Sequence, residues 1–156
     1  MKELKTAKPV SAGRTAISVA MQPQDANPYG SIHGGVILKN IDETAGIAAM
    51  RHCRCNVVTA AIDSMSFLTP SFVGELVTFK ASVNHVGRSS LEVGVRVESE
   101  DLMTGHVRHS ATAYLTFVAL DKDRRPIPAP PLLLETDEDR RRNAAAIERR
   151  KLRGKS

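Results

Sequence analysis

The residues best able to do chemistry crowd into one stretch, DANPYGSIHGGVILKNIDETAG, at positions 25–46. Asp42 lies in a helix-like run with Leu38, Ala45 and Gly46 one turn away, so its carboxylate is expected in an apolar or tightly packed setting. A charge there is costly unless it has a partner or a task. Lys39 is a candidate partner, and moving a proton is a candidate task. Glu43 sits one step round the helix and would face elsewhere. Upstream, Asn27 precedes Pro28 and reads as a turn residue. Its amide could equally hold a substrate or water, because it both donates and accepts without titrating. His33, Gly34 and Gly35 open the helix, where the first N–H groups lack an intrahelical partner. Glycine lets a ligand approach that backbone, and N–H groups so exposed can stabilise an oxyanion. The plainer reading is a tight turn into the helix, with His33 bonded to backbone.

A second group, Val86-Gly87-Arg88-Ser89-Ser90, falls between two strand-like runs. It is an ordinary hairpin turn, or a place where a free backbone, a guanidinium fork and two hydroxyls meet amide and phosphate groups. His52, Cys53 and Cys55 are too close in sequence to make a tetrahedral metal site, and there is no second Cys/His cluster; no metal is expected. No G-x-S-x-G motif is present, which argues against a nucleophile-elbow serine hydrolase.

The elements that must position these groups are legible in outline. Arg14–Gln22 alternates as a short strand. Val36–His52 is the one strong helix of the body, and Val57–Leu68, Leu76–Val86, Leu91–Glu98 and Val107–Ala119 are strand-like. In the third of these, Leu91, Val93, Val95 and Val97 share one face and Glu92, Gly94, Arg96 and Glu98 the other. Consecutive strands with short turns favour an antiparallel sheet, and one apolar helix must cover it, giving an α+β layout. Sheet edges left open favour a dimer or larger assembly. The expected divisions are an arm at 1–13, a body at 14–121, and a proline-rich linker with a basic helix or tail at 122–156. Within that last part TDED, at 136–139, has capping-box form with Asp for the usual Glu.

The 156 residues suit one domain of ordinary globular composition, 42% apolar and 25% charged. No apolar run is long enough to span a membrane. A polar start and two closely spaced cysteines favour the cytoplasm. The net charge of +5 is concentrated at the end, with eight Lys and Arg against one Glu from Arg140 onward. That segment reads as a solvated tail or as an arm for phosphate-bearing partners. With no Trp and 4% aromatic residues, base stacking is a poor fit, so nucleic acid is not an expected partner.

The stretch at 25–46 is similar to the N-x-x-G-x-x-H-G-G…D/E pattern of hotdog-fold acyl-CoA thioesterases. VVTAAIDSMSFLTPSFVGELVTF and NHVGRSSLEVGVRVESEDLMTG resemble that family's later strands. The match is closest to the cytosolic acyl-CoA hydrolase branch and its single-domain bacterial relatives, and covers roughly Arg14–Asp121. The resemblance implies a long helix wrapped by a five-stranded antiparallel sheet, dimers whose sheets join, and often trimers of dimers. It implies hydrolysis of acyl-CoA to fatty acid and CoA, without metal or other cofactor. It casts Asp42 as general base or water aligner, Asn27 as holder of water or thioester oxygen, and Gly34 and Gly35 as oxyanion donors with His33 beside them. Thr59 would help position water, although by itself it reads as a β-branched strand residue. Residues 86–90 would contact CoA. Gly34 and Asp42 are ~12 Å apart along the helix, so one carbonyl reaches both more easily if they come from opposite subunits. A hydratase or dehydratase of acyl thioesters using His33 with Asp42, and a nonenzymatic acyl-CoA or nucleic-acid binding module using the basic tail, are the competing readings.

Overall fold

The computed structural model describes residues 5–154. The elements run β1 (Lys8–Pro9), a 3-10 turn at Val10–Ala12, β2 (Thr15–Ala20), a 3-10 turn at Pro23–Asp25, α1 (Gly34–Cys53), β3 (Asn56–Phe67), β4 (Leu76–Val86), β5 (Ser90–Glu100), β6 (Val107–Leu120), β7 (Leu132–Leu133) and α2 (Asp137–Arg153). Five strands form one antiparallel sheet in the order β2-β4-β5-β6-β3. β1 and β7 pair separately, in parallel, over two residues. The α+β layout expected from the sequence is therefore observed, and each expected strand lies within a few residues of an observed one. α1 starts two residues earlier than the apolar spacing indicates, because the two glycines at its head carry no periodic signal.

Alternation explains the core. Val77, Phe79, Ala81 and Val83 of β4, the odd-numbered apolar residues 91–97 of β5, and Ala111, Ala113, Leu115 and Phe117 of β6 all turn inward. α1 meets them with Ile37, Ile41, Ala45, Ala48 and Ala49, each buried. The alanines keep the helix–sheet contact shallow, and the turn before β2 also presses on α1: a Cβ on Gly13 would lie 2.8 Å from the Ala48 carbonyl oxygen. α1 ends at Arg54, whose φ of 53° is left-handed and whose N–H returns to Met50 at 2.6 Å. Just inside that end, buried His52 bonds the Pro130 carbonyl through Nε2 at 2.8 Å, and desolvation holds its pKa below the usual value.

The basic C-terminal segment is a docked helix rather than a solvated arm. Thr136 and Asp139 close the capping box: the Asp139 N–H donates to Thr136 Oγ1 at 3.0 Å, and the Thr136 N–H donates to Asp139 Oδ2 at 3.2 Å. α2 then lies over the outer face of the sheet. Its Asn143 donates to the Asn84 carbonyl at 3.0 Å, Arg149 pairs with Glu92 and stacks 3.7 Å from the centroid of the Tyr114 ring, and Arg153 pairs with Asp63 at 2.8 Å. Glu92, which alternation places on the face opposite the core residues, is buried beneath this helix. No helix among the described residues is long and apolar enough to cross a membrane.

Candidate active site

The structure gathers the chemical residues into two groups. In the first, Asp42 on the inner side of α1 is half-buried, and Thr59 Oγ1 of β3 donates to its Oδ1 at 2.8 Å. No cation pairs with Asp42 among the described residues, so the Lys39 pairing is not formed. Glu43 is exposed and faces away. Thr59 reaches the carboxylate because β3 returns antiparallel beside α1. Strand alternation marks which way Thr59 points but not what it meets.

The second group is the loop and the helix start. Asn27 anchors the loop: its Oδ1 accepts from the Tyr29 N–H at 2.9 Å and its Nδ2 donates to Ser31 Oγ at 2.9 Å, which leaves one Nδ2 hydrogen. The Ile32 N–H donates to the Ser71 carbonyl, and the His33 N–H to the Asp25 carbonyl, tying the loop down. His33 caps α1 with its backbone only; its ring is exposed and makes no cap bond. The N–H groups of Gly34 and Gly35 have no acceptor among the described residues, and both glycines are exposed. The Phe67 ring stands over Gly34, 3.2 Å from where a Cβ would be, while nothing lies within 4 Å of that point at Gly35.

The two groups are not adjacent within one chain. Gly34 and Asp42 are eight residues, or ~12 Å, apart along α1, and Gly34 lies by Phe67 at the end of β3 whereas Thr59 is near its beginning. The hairpin 86–90 is at the Thr59 end. Thr59 pairs across to Phe117 and Phe117 to Leu91, placing the hairpin two strands, or ~10 Å, from Thr59. Within the hairpin the Gly87 N–H donates to the Ser90 carbonyl, and the Ser89 and Arg88 carbonyls accept from Ala119 and Ala129, each at 2.8 Å. The Arg88 side chain is exposed and has no hydrogen-bond or ion-pair partner among the described residues, and Gly87 faces Arg150 of α2 so closely that a Cβ would displace that guanidinium. Arg150 is thus a cation at this hairpin that no local motif announced.

No group of three or more His, Cys, Asp or Glu side chains among the described residues could hold a metal ion. Cys53 is buried and its thiol is pushed up to about 12, chiefly by desolvation and then by Cys55; it is inert at neutral pH.

Residues 29–106 match the family model of the thioesterase superfamily. A Bacillus subtilis protein described as an uncharacterized acyl-CoA thioester hydrolase is 42% identical over 81% of this chain and 74% of its own. The chain belongs to the thioesterase superfamily. A solved apo-hexameric acyl-CoA thioesterase superposes with a TM-score of 0.94 at 39% identity, covering 96% of both chains. The acyl-CoA hydrolase of Staphylococcus aureus, solved with butyryl coenzyme A, coenzyme A and coenzyme A disulfide, gives 0.89 at 35% identity over 95% of this chain and 90% of its own. Alanine variants of that hydrolase have been solved at an asparagine, an aspartate and a threonine, spaced 15 and 17 residues apart. Asn27, Asp42 and Thr59 have the same residue types and the same spacing in this superfamily member.

Proposed function

We propose that the protein hydrolyses acyl-CoA to a fatty acid and CoA, as a cytoplasmic enzyme whose active site is completed by a second copy of the chain. The observation that carries this reading is the half-buried Asp42 carboxylate. Thr59 holds it, no cation among the described residues pairs with it, and it lies ~12 Å along α1 from the Gly34 N–H of its own helix start. β3 is an edge strand of 12 residues with Val58 and Ile62 exposed. Pairing it antiparallel with its own copy would set the Thr59 end of one chain beside the Phe67 end of the other. That arrangement unites Asp42 and Thr59 with Asn27, His33, Gly34 and Gly35 of the partner subunit. Exposed Tyr29, Phe67 and Phe72 at that end supply apolar surface for the contact. Trimers of such dimers would give a hexamer like the solved relative.

In the reaction, Asp42 takes a proton from a water that the remaining Asn27 hydrogen helps to hold. The hydroxide adds to the thioester carbonyl, and the Gly34 and Gly35 N–H groups stabilise the oxyanion. Collapse breaks the C–S bond; CoA leaves as the thiolate and no covalent enzyme intermediate forms. Residues 86–90, with Arg88 outermost, would contact the CoA moiety. No cofactor takes part. The test is thiol release from acyl-CoAs of graded chain length by wild type, Asp42→Ala and Asn27→Ala. Release by the wild type that falls in both variants is expected; no release at any chain length would overturn the proposal.

A further inference from the structure

A cavity of about 360 Å³ lies on the outer face of the sheet, opposite α1 and under the edge of α2. Alternation puts it there: Lys80, Ser82 and Asn84 of β4, Gly94 and Arg96 of β5, and Thr112 and Tyr114 of β6 are the residues between those that fill the core. Six cations line it, namely Arg14, Lys80, Arg96, Arg141, Arg142 and Arg149, and no carboxylate does. The counter-charges sit behind them. Glu98 serves Lys80 and Arg96, Glu138 serves Arg141 and Arg142, Glu92 serves Arg149, and Asp139 stands 4.0 Å from Arg14. Four acids against six bases leave two positive charges facing the space.

A second observation is independent of charge. Ser82 is only 8% exposed, lines the cavity, and its Oγ has no hydrogen-bond partner. Buried hydroxyls are nearly always bonded. An acceptor arriving among the guanidinium groups would satisfy it.

We propose that this cavity binds a compact phosphate-bearing dianion, a diphosphate group, with Arg96, Arg142 and Lys80 supplying charge-assisted hydrogen bonds and Ser82 donating from the floor. Because the ligand would bridge β4, β5 and α2, it would also fasten the C-terminal helix to the sheet. Neither step requires the hydrolase reading, since the cavity opens on the sheet face away from Asp42. The diphosphate could belong to CoA or to a free nucleoside diphosphate.

Calorimetric titration of the full chain with inorganic pyrophosphate at 0.15 M salt tests it. Wild type should bind one pyrophosphate per chain. Arg96→Gln should weaken binding by ~10-fold or more, the loss of one charge-assisted hydrogen bond. Ser82→Ala should weaken it less, with the thermal midpoint of the free protein unchanged. Lys151→Gln, a cation of α2 outside the cavity, should leave it intact. Displacement of bound pyrophosphate by CoA but not by a nucleoside diphosphate, or the reverse, names the source. No binding at millimolar pyrophosphate, or equal losses in Arg96→Gln and Lys151→Gln, would overturn the site.

Discussion

Replacing Thr59 with valine probes the catalytic assignment most directly. The change removes one hydroxyl, keeps the β-branched shape that suits β3, and leaves Asp42 without its one hydrogen bond among the described residues. A hydrogen bond to a charged group is worth about 1.5–3 kcal/mol, and because both residues are half-buried the lower part of that range applies, about 1.5–2 kcal/mol. If the bond aims the carboxylate at water, that energy appears in the transition state as a ~10- to 30-fold loss in kcat with little change in KM. Asp42→Asn should lose ~10²- to 10⁴-fold as general-base catalysis disappears. The double variant should match Asp42→Asn alone, since Thr59 then has no carboxylate to aim. The assay is continuous thiol release from acyl-CoA, corrected for any slow reaction of Cys55. A kcat within ~3-fold of wild type for Thr59→Val would refute the positioning argument, because it falls well short of one charge-assisted bond. A double variant showing the full product of the two losses would refute it as well.

Three further perturbations follow from the same structure. Gly35→Ala meets nothing within 4 Å and replaces glycine in a helix, so unfolding should become harder by up to ~1 kcal/mol, while a methyl beside the oxyanion donors should cut kcat/KM by roughly 10-fold or more. Opposite shifts in denaturant midpoint and turnover are the expected signature. Glu92→Ala strips Arg149 of its partner and Asn84 Nδ2 of its acceptor at 3.1 Å under α2, and should cost about 2–4 kcal/mol in denaturant unfolding at fixed protein concentration. Glu75 is clasped by Arg108 at 2.6 and 2.9 Å, and that pairing holds its carboxyl below the usual range. Its stabilisation is therefore complete above the ordinary carboxylate pKa, ~4.3, and is lost as pH falls through the lower folded value. Wild type should exceed Glu75→Gln by about 2 kcal/mol at pH 7, and the gap should close below pH ~4.

What the sequence shows and what it hides divide along physical lines. The inner sheet face was legible because Leu91, Val93, Val95 and Val97 alternate with polar residues, and burial on one face imposes that period. α1 was legible from its apolar spacing, and the N-terminal cap of α2, at Thr136 and Asp139, from local chemistry alone. Strand order was not legible. That β3 closes one edge beside β6 rather than pairing with its neighbour β4 depends on contacts distant in sequence. Thr59 illustrates the consequence: alternation gives its face, but only the docking of β3 along α1 decides that it meets Asp42.

The outer face shows a limit of another kind. Ser82, Asn84 and Glu92 are polar and alternate with core residues, which is the pattern of a sheet face open to water, yet all three are buried. The cover is a helix whose own residues are mostly charged, so no apolar stripe advertised it. It holds by Arg149 on Glu92 and Tyr114, by Asn143 on the Asn84 carbonyl and by buried Ala146, rather than by a broad apolar seam. A polar interface of this sort leaves charge unneutralised wherever the partners do not match one for one. The surplus has collected where α2 lifts from the strands around Ser82. The same excess of arginine that looks like a loose basic tail in the sequence thus becomes, once folded, both the means of attachment and the reason a basic cavity remains beneath it.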